Sequence, residues 1–146
     1  MIDLRIKDLF FDRQKVERAA DKAKREVLSK AGAFIRQTAR TSIRKRKGVS
    51  PPGNPPYSHT GLLRRFILFG YDRSTDSVVV GPARISKPGD APHALEFGGT
   101  TEMEQRRRGR RVRVKARIRK RPYMGPAMEK ELPKFPTLWR NSIRSG

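Results

Sequence analysis

The sequence has no cysteine, only two histidines, and 14 acidic residues against 35 lysines and arginines. Without cysteine, neither a disulfide framework nor a thiolate metal site can form. The two histidines, His59 and His93, stand in no His-Glu-x-x-His pattern, so no metal and no cofactor is expected. Gly53 and Gly61 are isolated, and no glycine is followed by the lysine-serine or lysine-threonine of a nucleotide-binding loop. The longest apolar runs, such as Phe66 to Phe69 and Val78 to Val80, are far short of the roughly 20 residues that cross a membrane, and no membrane contact is expected. Asp3, Arg5, Lys7 and Asp8 interrupt Met1 to Phe11, which has neither the apolar core nor the cleavage site of an export signal. The lack of cysteine suits synthesis in the cytoplasm, and no export is expected.

What is present is mostly charge. A formal net charge of +21 opposes compaction by self-repulsion and favours polyanionic or acidic neighbours. An apolar fraction of 35% is thin for a self-sufficient globule of 146 residues, so partners are expected to supply part of its stability. The length fits one domain.

Ile2, Leu4 and Ile6 alternate with Asp3, Arg5 and Lys7, the period of a short half-buried strand. From Asp12, a plausible N-cap, to about Arg46, the positions Val16, Ala20, Ala23, Val27, Ala31, Phe34 and Thr38 recur at helical spacing. Gly32 is a tolerated weak point in that helix, and Gly48 with Pro51 and Pro52 ends it. A proline-rich loop over about 49–58 reads as a stiff spacer. Arg65 to Tyr71 and Ser77 to Gly81, joined by polar residues 72–76, form a β-hairpin. An arginine-rich loop over about 102–111 leads to a second hairpin arm, with Val112, Val114, Ala116 and Ile118 on one face and Arg111, Arg113, Lys115, Arg117 and Arg119 on the other. Gly125 and Pro126 open a C-terminal helix, which Pro133 and Pro136 kink or divide. The expected fold is α+β: a long N-terminal helix and a C-terminal helix packed on a mainly antiparallel sheet containing both hairpins, with an extended basic hairpin or loop. Core candidates are Leu63, Phe66, Leu68, Val78, Val80, Leu95, Phe97, Val112, Val114, Tyr123 and Leu132.

Four boxes follow the long helix in order: His59-Thr60-Gly61-Leu62-Leu63-Arg64, Val80-Gly81-Pro82, Ala94-Leu95-Glu96-Phe97-Gly98-Gly99 and Arg121-Pro122-Tyr123-Met124-Gly125-Pro126-Ala127. Each alone is little more than a turn or a cap. In this order and spacing, over about residues 14 to 132, the chain resembles the small tailed-phage neck and tail-completion proteins, with the Mu-like virion-morphogenesis proteins as relatives. His93 stands where that family usually has tyrosine, Tyr123-Met124 replaces Phe-Leu, and the arginine-rich insertion after the glycine box is unusual. Thr60, Gly61, Leu63, Gly81, Glu96, Phe97, Gly98, Arg121, Pro122 and Pro126 are read as shaping the fold, with Phe97 buried ahead of a reversal at Gly98.

The resemblance implies a virion component without catalytic activity, assembled in the host cytoplasm. It implies one subunit of a homo-oligomeric ring of about six or twelve copies, touching other neck, connector and tail proteins and DNA in transit. The residues expected to meet a partner are Arg106, Arg107, Arg108, Arg110, Arg111, Arg113, Lys115 and Arg117, a run too dense for an ordinary solvated face. It suits phosphates through counterion release, or an acidic subunit through steering. A second basic cluster, Arg36, Arg40 and Arg44 to Lys47, is read as complementing the helix dipole. The alternative is a basic nucleic-acid-binding protein of ribosomal-protein-like character. Against it, residues 104 to 121 contain no aromatic on which a base could stack. A hydrolytic His93 and Glu96 pair on one helical turn is less favoured than Glu96 pairing with an arginine and His93 packing at a turn.

Overall fold

The computed structural model describes residues 13–84, 89–140 and 142–143. The expected strand at Ile2 to Ile6 and the cap at Asp12 lie outside the described residues. Helix α1, Arg13–Ser42, runs 30 residues, about 45 Å at helical rise. It stops short of Arg46. The hydroxyls of Thr41 and Ser42 donate to the carbonyls of Gln37, Thr38 and Ala39, occupying the last-turn acceptors. The chain then turns, and the Ser58 amide donates to the Arg44 carbonyl at 2.9 Å. Arg44 to Lys47 therefore lie beyond the helix, and the helix-dipole reading holds only for Arg40. Arg36 instead donates Nε to the Ile67 carbonyl at 2.7 Å, and Arg46 lies over the Tyr57 ring at 5.5 Å.

Of the expected stripe on α1, Ala23, Val27 and Ala31 are buried while Val16 is exposed and Ala20 half-buried, and the burial continues through Ile35 and Ala39, not Phe34 and Thr38. Steps of four on a helix of 100° per residue overshoot a full turn by about 40°, so the stripe winds around the helix. Its upper part meets the first hairpin and its lower part meets helix α4, Met124–Glu131. Phe34 is left exposed, while the half-buried Thr38 donates to Glu131 Oε1 at 2.6 Å. That bond and a second from Lys134 at 2.9 Å hold the Glu131 carboxyl below its ordinary pKa.

The first hairpin is preceded by a one-turn helix, α2, Leu62–Arg65, which starts at Gly61 in a left-handed conformation with φ of 79°. Strand β1 is thus Ile67–Asp72, later than Arg65, and pairs antiparallel with β2, Ser77–Pro82, from Ile67 opposite Pro82 to Asp72 opposite Ser77. Asp72 holds the turn by accepting from the Ser74 amide and hydroxyl and the Thr75 hydroxyl. These bonds lower its pKa. Gly32 is where the hairpin meets α1. A Cβ there would lie 2.6 Å from Val78 Cγ2 and 3.0 Å from Phe69 Cδ2, so the glycine is a packing requirement and not a weak point.

Helix α3, Ala91–Phe97, leads into β3, Gly99–Arg107, which pairs antiparallel with β4, Arg110–Ile118. The architecture is α+β, and its two hairpins form separate two-stranded sheets instead of sharing one. Pro133 and Pro136 divide the C-terminal helix as expected: α4 gives way to a 3₁₀ turn, Leu132–Lys134, and then to α5, Phe135–Trp139. Pro126 sits at the third helical position of α4, still among the residues whose N–H has no intrahelical acceptor.

The central core is Ile35, Ala39, Ile43, Leu63, Ile67, Tyr123 and Ala127, with Val80, Leu95, Met124 and Phe135 half-buried around it. Of the expected core, Leu63 and Tyr123 are buried. Phe66, Leu68, Val112 and Leu132 are exposed, and Phe97 is 67% exposed. Phe97 is the last residue of α3 and packs in a tilted arrangement on the exposed His93, ring centroids 4.8 Å apart, instead of entering the core.

Candidate functional site: a clamped basic arm and an apolar groove

The expected arginine-rich loop is an ordered β-hairpin. Strand β4 has the alternation that favours pairing, and it imposes a partner on residues 99–107, whose own sequence alternates poorly. The strands join through Arg108 and Gly109, with φ of 48° and 78°, the two-residue turn whose twist matches a hairpin.

Cross-strand pairing sorts the side chains into two faces. Thr100, Glu102, Glu104 and Arg106 lie opposite Arg117, Lys115, Arg113 and Arg111 on one face. Its cations are partly offset, with Arg111 Nη1 at 3.9 Å from Glu104 Oε2. Exposed pairs of this kind contribute little to stability. The other face pairs Thr101 with Ala116, Met103 with Val114 and Gln105 with Val112. Only its root is covered: Thr101 is 7% exposed, whereas Met103 and Val112 are 38% and 41% exposed. The hairpin is therefore an amphipathic arm tipped by Arg106, Arg107, Arg108, Arg110 and Arg111. Arg113, Lys115 and Arg117 lie along its polar face.

The arm's root is held from several sides. Thr101 Oγ1 accepts from the Asp90 amide at 3.1 Å, and Asp90 Oδ1 caps α3 through the His93 amide at 3.2 Å. Past β4, the Arg121 amide donates to the Leu95 carbonyl at 2.6 Å and its Nε to the Ser50 carbonyl at 2.8 Å. The Gly53 amide donates to the Lys120 carbonyl at 2.9 Å. The proline-rich loop is accordingly no free spacer: Ser50, Pro56 and Ser58 are buried, and the loop buttresses the arm.

Glu96 has a role that its type and neighbours did not reveal. Its Oε2 accepts from the amides of Tyr123 and Met124 at 2.8 and 2.9 Å, and its Oε1 from Gly125 at 2.8 Å. No arginine pairs with it among the described ion pairs. Pro122 precedes the N-cap Tyr123, so the two motif boxes around Glu96 and Arg121 form one joint. His93 and Glu96 do share a turn of α3, but both Glu96 oxygens are engaged by backbone donors. Tyr123 sits beneath the joint, 1% exposed, and its hydroxyl donates to the Pro92 carbonyl at 3.4 Å. Burial, with the Glu96 and Asp90 charges nearby, pushes its pKa well above the ordinary phenol value.

Between α1, β2, α3 and the C-terminal helices lies a groove of about 790 Å³. Val27, Ala31 and Ile35 form its floor, Val78 and Val80 one wall, and Phe97 and Trp139 part of the rim. Among the described residues, the charged ones lining it are Asp76, Asp90 and Glu96, with no lysine or arginine. Asp76 also binds Lys24 and Tyr71. Thr60, Gly61 and Leu63 lie at α2, away from the groove, while Gly81 borders it and Gly98 ends α3. Among the described residues no group of three or more His, Cys, Asp or Glu could hold a metal ion, and no helix is long and apolar enough to cross a membrane.

The groove was missed because its residues come from five separate segments and each reads as ordinary core. No family model, curated protein or solved structure matches the chain.

Proposed function

We propose that the chain is a ring subunit of a tailed-phage neck, joining head to tail or completing the head-proximal end of the tail, and that it works by shape and surface without catalysis. The observation that carries this reading is apolar surface left uncovered in two separate places, the groove and the outer half of the arm. A basic chain with a thin core gains from neighbours that cover such surface. The motif residues add support: Glu96, Arg121 and Tyr123 interlock at the base of the arm, so the boxes behind the family resemblance fix how the arm is presented.

Assembly then proceeds by mass action. The monomer is stabilised as neighbours bury its apolar surface, and acidic partners offset its charge. DNA passing through the ring is a further expected contact for arm arginines that face the channel.

The test is genetic. A stop codon in this gene of a virus that carries it should yield DNA-filled heads and separate tails, with joining restored when the protein is supplied in trans. Tailed particles at normal yield without the protein would refute the reading.

A further inference from the structure

We propose that the arm of one copy lies in the apolar groove of the next, so that the ring closes through a head-to-tail contact; this rests on the ring reading above. The two surfaces match in chemistry. The arm offers Met103, Val112 and Val114 on one face, and the groove lining offers the exposed Phe97, Met128 and Trp139 with the half-buried Val78 and Val80. They also match in charge. In a chain with 35 basic residues, the charged groups lining the groove among the described residues are all carboxylates, whereas the arm ends in five arginines. Two copies at +21 repel over most of their surfaces, and this pairing sets opposite charge against the cationic tip.

The arm is not the filling of its own groove, since no residue of β3 or β4 lines it. With nine residues per strand at about 3.4 Å each, the arm is roughly 30 Å long, and the described packing holds its root against α3. That leaves the outer half free to reach a neighbour. Because arm and groove are different surfaces of one chain, the contact is heterologous, the kind that closes into a ring when the rotation permits. Nucleic acid is a poorer occupant for the apolar face: phosphates would meet the arginines but leave Met103 and Val112 in water, and the arm has no aromatic for bases.

A photo-activatable cross-linking residue placed at Val112 of the full chain tests this directly, using a mixture of ¹⁵N-labelled and unlabelled protein. The expected product joins labelled to unlabelled chains, with the cross-link mapping to residues 27–35, 78–82, 93–97 or 124–128. Met103→Ser with Val112→Ser, both at exposed positions, should weaken self-association about tenfold or more while leaving the monomer's circular dichroism unchanged. Rings whose Val112 cross-links map elsewhere, or stay within one chain, would overturn the arm-and-groove contact and leave the ring reading standing. A chain that remains monomeric at every concentration would overturn both. Cross-linking to added random-sequence duplex DNA in place of protein would assign the arm to nucleic acid.

Discussion

Replacing Glu96 by alanine should unfasten α4 from α3. The first four N–H positions of a helix, counted from its cap, have no acceptor within the helix. In α4 these are Tyr123, Met124, Gly125 and Pro126; proline has no N–H, and the other three all donate to Glu96 at 2.8–2.9 Å. One half-buried carboxylate thus satisfies every free donor of that helix start. Loss of an ordinary cap costs about 1 kcal/mol and sometimes about 2, and hydrogen bonds to charged groups contribute about 1.5–3 kcal/mol. Water reaches part of the site, so about 2–3 kcal/mol is expected for Glu96→Ala, a large share of a typical margin of about 5–15 kcal/mol. Glu96→Gln retains one carbonyl acceptor and no charge, and should fall between, near 1–2 kcal/mol. Urea unfolding followed by far-ultraviolet circular dichroism would measure all three proteins. An alanine variant within about 0.5 kcal/mol of the parent, or a glutamine variant no better than alanine, would refute the reasoning.

Gly32→Ala gains about 1 kcal/mol of helix propensity but drives a Cβ toward Val78, whose branched side chain has little rotamer freedom, so overpacking of about 1–3 kcal/mol should win and destabilise. In a Val78→Ala background the same change should cost less, since only the Phe69 contact remains, and a double-mutant cycle by urea unfolding would expose that coupling. Stability should also fall in alkali: the folded state raises the Tyr123 pKa, so its contribution is complete below the ordinary phenol value of about 10 and is lost as pH climbs above it. Tyr123→Phe should flatten that part of the stability profile. Changing Arg106, Arg107, Arg108, Arg110 and Arg111 to serine should leave the fold intact yet block head-tail joining in virus complementation; tailed particles at normal yield would remove that role. If those arginines chiefly neutralised phosphates, the salt slope of duplex binding would fall by about 4–5 on their removal, whereas protein docking predicts a change below about 1.

Local patterns carried the parts of this fold that depend on local patterns. The alternation from Val112 to Ile118 set the faces of β4, polar residues 72–76 marked a turn, and Pro133 and Pro136 divided the last helices. The spacing of α1 was legible from Ala23 to Ala31, but not ahead of Ala23, where Val16 is exposed. Beyond Ala31, the buried stripe keeps its step of four through Ile35 and Ala39 as the neighbour changes from hairpin to α4, whereas the expected stripe stepped by three to Phe34, because a straight stripe assumes one neighbour. Gly32 reads as a weak helix residue until Val78 and Phe69 are brought against it. Glu96 meets donors 27–29 residues away, and its surroundings offered so many arginines that an ion pair was the natural expectation. Phe97 was assigned to the core by its apolarity, yet it lies on the rim of the groove. The arginine run was legible as a dense cationic surface, but the apolar face behind it appears only once β3 and β4 are paired.

The most direct test of the ring account is the mass of the purified chain across concentration, by sedimentation velocity and mass photometry. The account predicts a 16.7 kDa monomer in exchange with one larger closed species, and no growth beyond it. A monomer at every concentration, or an open polymer that keeps growing, would contradict it.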